Sequence, residues 1–123
     1  MPKLCRIDIK NIKEIYGKID DFIKQLKAEL PVDFIYLFGS FAKKNIHEGS
    51  DIDLIIVGDF KETFLKRIEK VLDLTDLPIE PLLYTNQEFK EMVDNKNPLI
   101  TEVLKTGIKY WVYSYFILAF FLI

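Results

Sequence analysis

From Ile12 onward, apolar residues recur every three or four positions: Ile12, Ile15, Tyr16, Ile19, Phe22, Ile23, Leu26 and Leu30, with lysines and acids between them. That period predicts an amphipathic helix, and Pro31 ends it because proline has no backbone N–H to continue the ladder. The pattern then changes. Phe34 to Phe38 is a short β-branched and aromatic run stopped by Gly39, and Asp51 to Val57 is a second run closed by Gly58. Both read as buried strands. Asp59 with Glu62 three residues on has the form of a helix start, ahead of an apolar face made by Phe60, Phe64, Leu65, Ile68, Val71 and Leu72. After Pro78, Ile79 to Tyr84 predicts a third strand. Thr85 and Glu88 form a capping box for a short helix bearing Phe89, Met92 and Val93, and Asn97-Pro98 place a cap and a first-turn proline before a helix ended by Gly107. The order is helix, strand, turn, strand, helix, strand, helix, helix. No repeat, linker or low-complexity segment interrupts it, so the expected class is α/β or α+β in one domain.

The last fourteen residues, Tyr110 to Ile123, are of another kind, uncharged and almost wholly apolar. As a helix they would span ~21 Å at about 1.5 Å per residue, short of a ~30 Å hydrocarbon core, and their aromatic and β-branched content suits a strand equally well. Residues 1–109 are therefore expected to form the domain. Residues 110–123 are expected to be a tail buried in a core or a protein interface, with a self-dimer as one form of it; membrane-surface contact ranks second and a membrane span last.

Composition narrows the partners. Half of the 123 residues are hydrophobic, enough for one core and hardly for two. Lys and Arg total 17 against 19 Asp and Glu, so the formal charge of −2 offers no broad cationic surface, and nucleic acid is disfavoured as a main partner. A lone Cys5 cannot form an internal disulfide, and Met1-Pro2-Lys3 is not followed by the apolar core of a signal peptide, so a cytoplasmic location is expected. Cys5 has no nearby histidine in sequence to activate it as a nucleophile.

The chemistry concentrates between Leu37 and Val57. Asp51 and Asp53, two apart in a predicted strand, project to the same face. Like charges held that close beside an apolar sheet are costly unless a cation compensates them, and Mg²⁺ held by one or two carboxylates plus substrate phosphates is a common form of compensation. By itself the triplet also fits a strand edge facing solvent. The Gly39-Ser40 pair upstream shifts the weight: Gly39 ends a strand where the backbone must turn sharply, and Ser40 opens a short helix whose free N–H groups and hydroxyl suit phosphate. Lys43 and Lys44 lie within reach of a triphosphate there or are simply solvated. His47, with no second histidine nearby, reads as a loop residue or a nucleotide contact.

Gly39-Ser40, ten residues, then Asp51-x-Asp53 resembles the G-S-x10-D-x-D signature of the nucleotidyltransferase fold in the DNA polymerase beta superfamily, and the short chain is similar to its minimal nucleotidyltransferase branch. The match runs from about Phe34 to Gly107. It implies a small mixed sheet flanked by helices, and two Mg²⁺ ions on Asp51, Asp53 and a third carboxylate on a later strand. The matching position here is Glu80, where many relatives have Asp. It also implies Gly39, Ser40 and Lys43 on the phosphates, with ATP as substrate. Relatives with no acceptor-binding domain resemble antitoxins that adenylylate a tyrosine of an all-helical HEPN toxin encoded nearby. Two rivals stay open: a non-catalytic module that neutralises its partner by binding, and a small-molecule nucleotidyltransferase, which would need extra surface for its acceptor.

Overall fold

The computed structural model describes residues 11–47 and 49–111. Among them the elements run α1 (Ile12–Glu29), β1 (Val32–Phe38), α2 (Gly39–Ala42), β2 (Ile52–Gly58), α3 (Phe64–Leu72), β3 (Ile79–Thr85), α4 (Asn86–Asp94), α5 (Pro98–Thr106) and β4 (Ile108–Trp111). One sheet is ordered β3-β2-β1-β4. β1 is antiparallel to both β2 and β4, whereas β2 and β3 are parallel and joined through α3. This is the mixed sheet with helical flanks that the sequence pattern and its resemblance imply.

Strand alternation divides the core in two. Ile52, Leu54 and Ile56 of β2 face a layer containing Ile19, Phe22, Ile23 and Leu26 of α1, Phe41 of α2 and Val71 of α3. Ile55 and Val57 face the opposite way, toward Phe89 of α4 and Ile100 and Val103 of α5. The helical stripe of α1 is thus buried as its period predicts, except that Ile12 at its start is 40% exposed.

Among the departures from expectation, two boundaries and one element stand out. Asp51 lies outside β2, which begins at Ile52. The helix signalled by Asp59 and Glu62 starts only at Phe64, with Thr63 in the cap position and making no side-chain cap bond. Glu62 turns instead to Lys70, and Asp59 to Lys61. Leu65, expected on the apolar face, stands 71% exposed, and Arg67 is buried. Finally, β4 is an element absent from the predicted order. The charge-free segment enters the sheet with its first two residues, Tyr110 and Trp111, paired to Ile35 and Phe34; residues 112–123, where the interface expectation falls, lie outside the described ones. No helix among the described residues is long and apolar enough to cross a membrane.

Arg67 fastens α3 to the sheet and to α4. Its Nε donates to the Glu62 carbonyl at 2.8 Å, and Nη1 donates to the Leu83 carbonyl at 3.2 Å and to Glu88 Oε1 at 2.8 Å. Glu88 Oε1 also accepts from the Thr85 N–H at 2.7 Å, completing the predicted capping box. The Thr85 N–H, then the Arg67 guanidinium, hold the Glu88 carboxyl below its usual range. Arg67→Met keeps the apolar stem and strands two carbonyls and a carboxylate, so it should cost about 2–3 kcal/mol in urea unfolding. A loss below about 0.5 kcal/mol would show that water takes over those bonds.

Candidate active site

β1, β2 and β3 meet side by side at the sheet end where β1 finishes and the other two begin. In that row Phe38 is the register partner of Asp53, and Asp53 is the register partner of Glu80. Partners directly across neighbouring strands share a face, so all three side chains stand on the α4/α5 side. They stand at the open end of that face, where Asp53 is partly buried and Glu80 exposed. A cavity of about 300 Å³ opens over them, lined by Phe38, Asp53, Glu80, Pro81, Leu82 and Leu99. Two carboxylates therefore lie against an otherwise apolar wall.

The electrostatics follow from that placement. Burial, a side-chain hydrogen bond to Glu80, the Glu80 charge and, last, the Asp51 charge push the Asp53 carboxyl up to about 7. A proton on Asp53 relieves the repulsion between the two carboxyl groups, so it is retained to near neutral pH. Asp51, exposed and just ahead of the strand, is close enough to add repulsion.

The Gly39-Ser40 turn closes the other side. Gly39 sits at φ +67°, a left-handed conformation that glycine adopts without strain, and a Cβ on it would come within 2.3 Å of Asp53 Oδ2. The main chain of the turn therefore lies directly on the carboxylate. Ser40 follows in α2, its carbonyl accepting from the Asn45 N–H at 2.9 Å. Lys43 points elsewhere: its Nζ is 3.3 Å from Glu102 on α5, both side chains being about half exposed (51% and 54%). His47 stays in its loop, where Nδ1 accepts from the Gly49 N–H at 3.2 Å.

Of the residues singled out in the sequence, the fold brings Asp53, Glu80 and Gly39 into one locus with Ser40 next in chain, leaves Asp51 at its edge, and ties Lys43 to α5. Phe38, Pro81, Leu82 and Leu99 were not singled out. Leu82 had a local signal, since it lies two residues from Glu80 in the same strand; Phe38 and Leu99 had none, because strand pairing sets Phe38 beside Asp53 and packing brings α5 over β2. A larger recess of about 370 Å³ lies between α1 and the turn before β3, lined by Lys18, Asp21, Phe22, Gln25, Thr75, Asp76 and Leu77. Its Lys18 and Gln25 are already engaged with Glu14 and Glu29 along α1, and it lacks paired carboxylates in register.

A family model described as polymerase beta, nucleotidyltransferase, matches residues 17–113. The chain belongs to that family. Its general chemistry is nucleotidyl transfer, and relatives in the family use a nucleoside triphosphate and a divalent metal. A crystal structure from Sulfolobus solfataricus is similar in fold with a TM-score of 0.59 at 17% identity, covering 84% of this chain and 85% of that one. Among curated proteins none matches this sequence. In this polymerase beta nucleotidyltransferase domain the donor chemistry suits a hard divalent ion: carboxylate oxygens crowded by like charge, with the nearby Lys43 paired away from them. Among the described residues no three or more His, Cys, Asp or Glu side chains form a group that could hold a metal ion, so the fit rests on the Asp53–Glu80 pair. Two carboxylates are enough where substrate phosphates complete the coordination.

Proposed function

We propose that this polymerase beta nucleotidyltransferase domain is a Mg²⁺-dependent adenylyltransferase that moves AMP from ATP to a tyrosine hydroxyl of a separately encoded HEPN-type helical toxin, and so acts as its antitoxin. The observation that carries the transfer chemistry is the Asp53–Glu80 pair lying in register under the Gly39 main chain. The support for tyrosine is the wall of Phe38, Pro81, Leu82 and Leu99, which would desolvate a phenol ring more readily than a polyhydroxylated sugar.

In this reading the acceptor oxygen attacks the α-phosphorus, the bond from that phosphorus to the bridging oxygen of the β-phosphate breaks, and pyrophosphate leaves with its electron pair. Glu80 takes the phenolic proton, being the more exposed of the two carboxylates that line the cavity. The Gly39-Ser40 turn holds the triphosphate against the carboxylates, since a backbone without a Cβ can approach closely and Ser40 adds a donor. Asp53 and Glu80 would hold Mg²⁺, with Asp51 at the edge of the site adding negative charge, and the ion when bound would neutralise the triphosphate and lower the pKa of the attacking hydroxyl. A phenol with its ordinary pKa near 10 needs that help at neutral pH.

Incubation of the chain with the adjacent-gene product, Mg²⁺ and labelled ATP tests the assignment by intact mass. One AMP added to a tyrosine of the partner is the expected result. A partner that binds tightly and gains no nucleotide, with metal bound to the carboxylates, would favour neutralisation by binding alone, and an AMP-modified small molecule would move the acceptor out of the protein class.

A further inference from the structure

We propose that Tyr16 is a positioning residue: by donating its hydroxyl to the Phe41 carbonyl at 2.7 Å, it seats the Gly39-Ser40 turn over the Asp53–Glu80 pair. The inference deepens the function proposed above and rests on it. α2 comprises only Gly39–Ala42, one helical turn closed by the Lys43 N–H on the Gly39 carbonyl at 3.0 Å. A single turn does not hold its own shape in water, because nucleation fixes several dihedrals for one bond. Its position must be imposed from outside.

α1 imposes it. Phe41 is fully buried, and its ring meets that of Tyr16 edge to face with centroids 5.8 Å apart and planes at 72°. The Phe41 carbonyl belongs to the last turn of α2, where carbonyls lack a helical donor, and Tyr16 supplies one from twenty-five residues away. Tyr16 is itself held by the same apolar layer that packs Ile19 and Ile23 of α1, with Tyr110 of β4 against it. Burial raises the Tyr16 phenol above its usual range, so the donor proton is present at every working pH.

The tie matters because the turn has no slack. A Cβ at Gly39 would overlap Asp53 Oδ2 at 2.3 Å, so the Gly39 main chain and that carboxylate are already in contact, and a shift of the turn changes what Asp53 faces. Tyr16 touches neither nucleotide nor carboxylate and acts through Phe41 alone.

Tyr16→Phe keeps the ring contact and deletes the hydrogen bond. It should speed hydrogen exchange at the Lys43 and Asn45 amides, which bond to the Gly39 and Ser40 carbonyls at 3.0 and 2.9 Å, by about fivefold, the scale of one lost side-chain bond. It should also raise KM for ATP by about the same factor with kcat within about twofold. Ile23→Val, two turns further along α1, serves as a control for general loosening and should do neither. Unchanged exchange at both amides in Tyr16→Phe would overturn the tie whatever the enzyme does. Faster exchange with KM unchanged would overturn the positioning role and, with it, the assignment of the triphosphate to the turn. An inactive wild-type chain would refute the proposed function and leave exchange alone to decide whether Tyr16 seats the turn.

Discussion

Asp53→Asn should lower Mg²⁺-dependent nucleotidyl transfer by at least about 100-fold while making the metal-free protein more stable. Loss of a group that only hydrogen-bonds to a metal ligand typically costs 10- to 100-fold, so loss of a ligand charge itself should exceed that range. The stability gain comes from linkage. The Asp53 carboxyl is pushed up from 3.8 to about 7, first by burial and then by its hydrogen bond and repulsion with Glu80. Between those two values the folded chain keeps a proton that the unfolded chain has released, so stability from this group falls as pH rises across the window and is lowest above about 7. Asparagine has the same shape, donates to Glu80 at every pH and carries no charge. The variant should therefore gain about 1–2 kcal/mol over wild type at pH 8, discounted for solvent reaching a half-exposed site, and nothing below pH 4. Mg²⁺ should reverse the ranking by stabilising only the wild type, and a chelator should restore it. Thermal unfolding at pH 4, 6 and 8, with and without Mg²⁺, reads all of this. A variant that transfers nucleotide at the wild-type rate would remove Asp53 from the chemistry.

Gly39→Ala should be the most disruptive single methyl in the molecule's site. The left-handed φ of +67° costs an L-residue about 1–2 kcal/mol, and the added Cβ meets Asp53 Oδ2 at 2.3 Å and Cγ at 3.3 Å. The carboxylate cannot yield without leaving Glu80, its register partner in the neighbouring parallel strand. The expected outcome is a loss of about 3 kcal/mol of stability and near-complete loss of transfer. The two costs can be separated. In an Asp53→Ala background the clash disappears and only the backbone term should remain, so the Gly39→Ala penalty should shrink to about 1–2 kcal/mol. Equal penalties in the two backgrounds would mean that the turn does not rest on the carboxylate.

How much of this was legible in the chain depends on the range of the interactions. The stripe of α1, the capping box at Thr85 and Glu88, and the Asn97 cap, whose Oδ1 accepts from the Leu99 and Ile100 N–H groups at 3.0 and 3.3 Å, all form within a few residues. Each was readable for that reason. The start of α3 was not, because Asp59 and Glu62 satisfy a local capping pattern, whereas in the fold they pair with Lys61 and Lys70 and Arg67 reaches Leu83 and Glu88. β4 escaped because its four residues are stabilised almost entirely by pairing with β1, together with the Lys27 Nζ bond to the Trp111 carbonyl at 2.6 Å, and neither leaves a trace in local period.

The same division runs through the site. Chain order alone determined that Gly39-Ser40 would break two strands and that Asp53 would sit in the second, because glycine, turn residues and alternation act over one or two peptide units. It also marked Glu80 as a strand carboxylate. Only the tertiary structure decided that β3 lies parallel to β2 with Glu80 level with Asp53, that the Gly39 main chain presses on that carboxylate, that α5 brings Leu99 over the cavity and Glu102 to Lys43, and that Tyr16 reaches Phe41. Strand register and helix docking are settled by burying the two apolar faces of one sheet together, and that free energy belongs to the whole chain rather than to any segment of it.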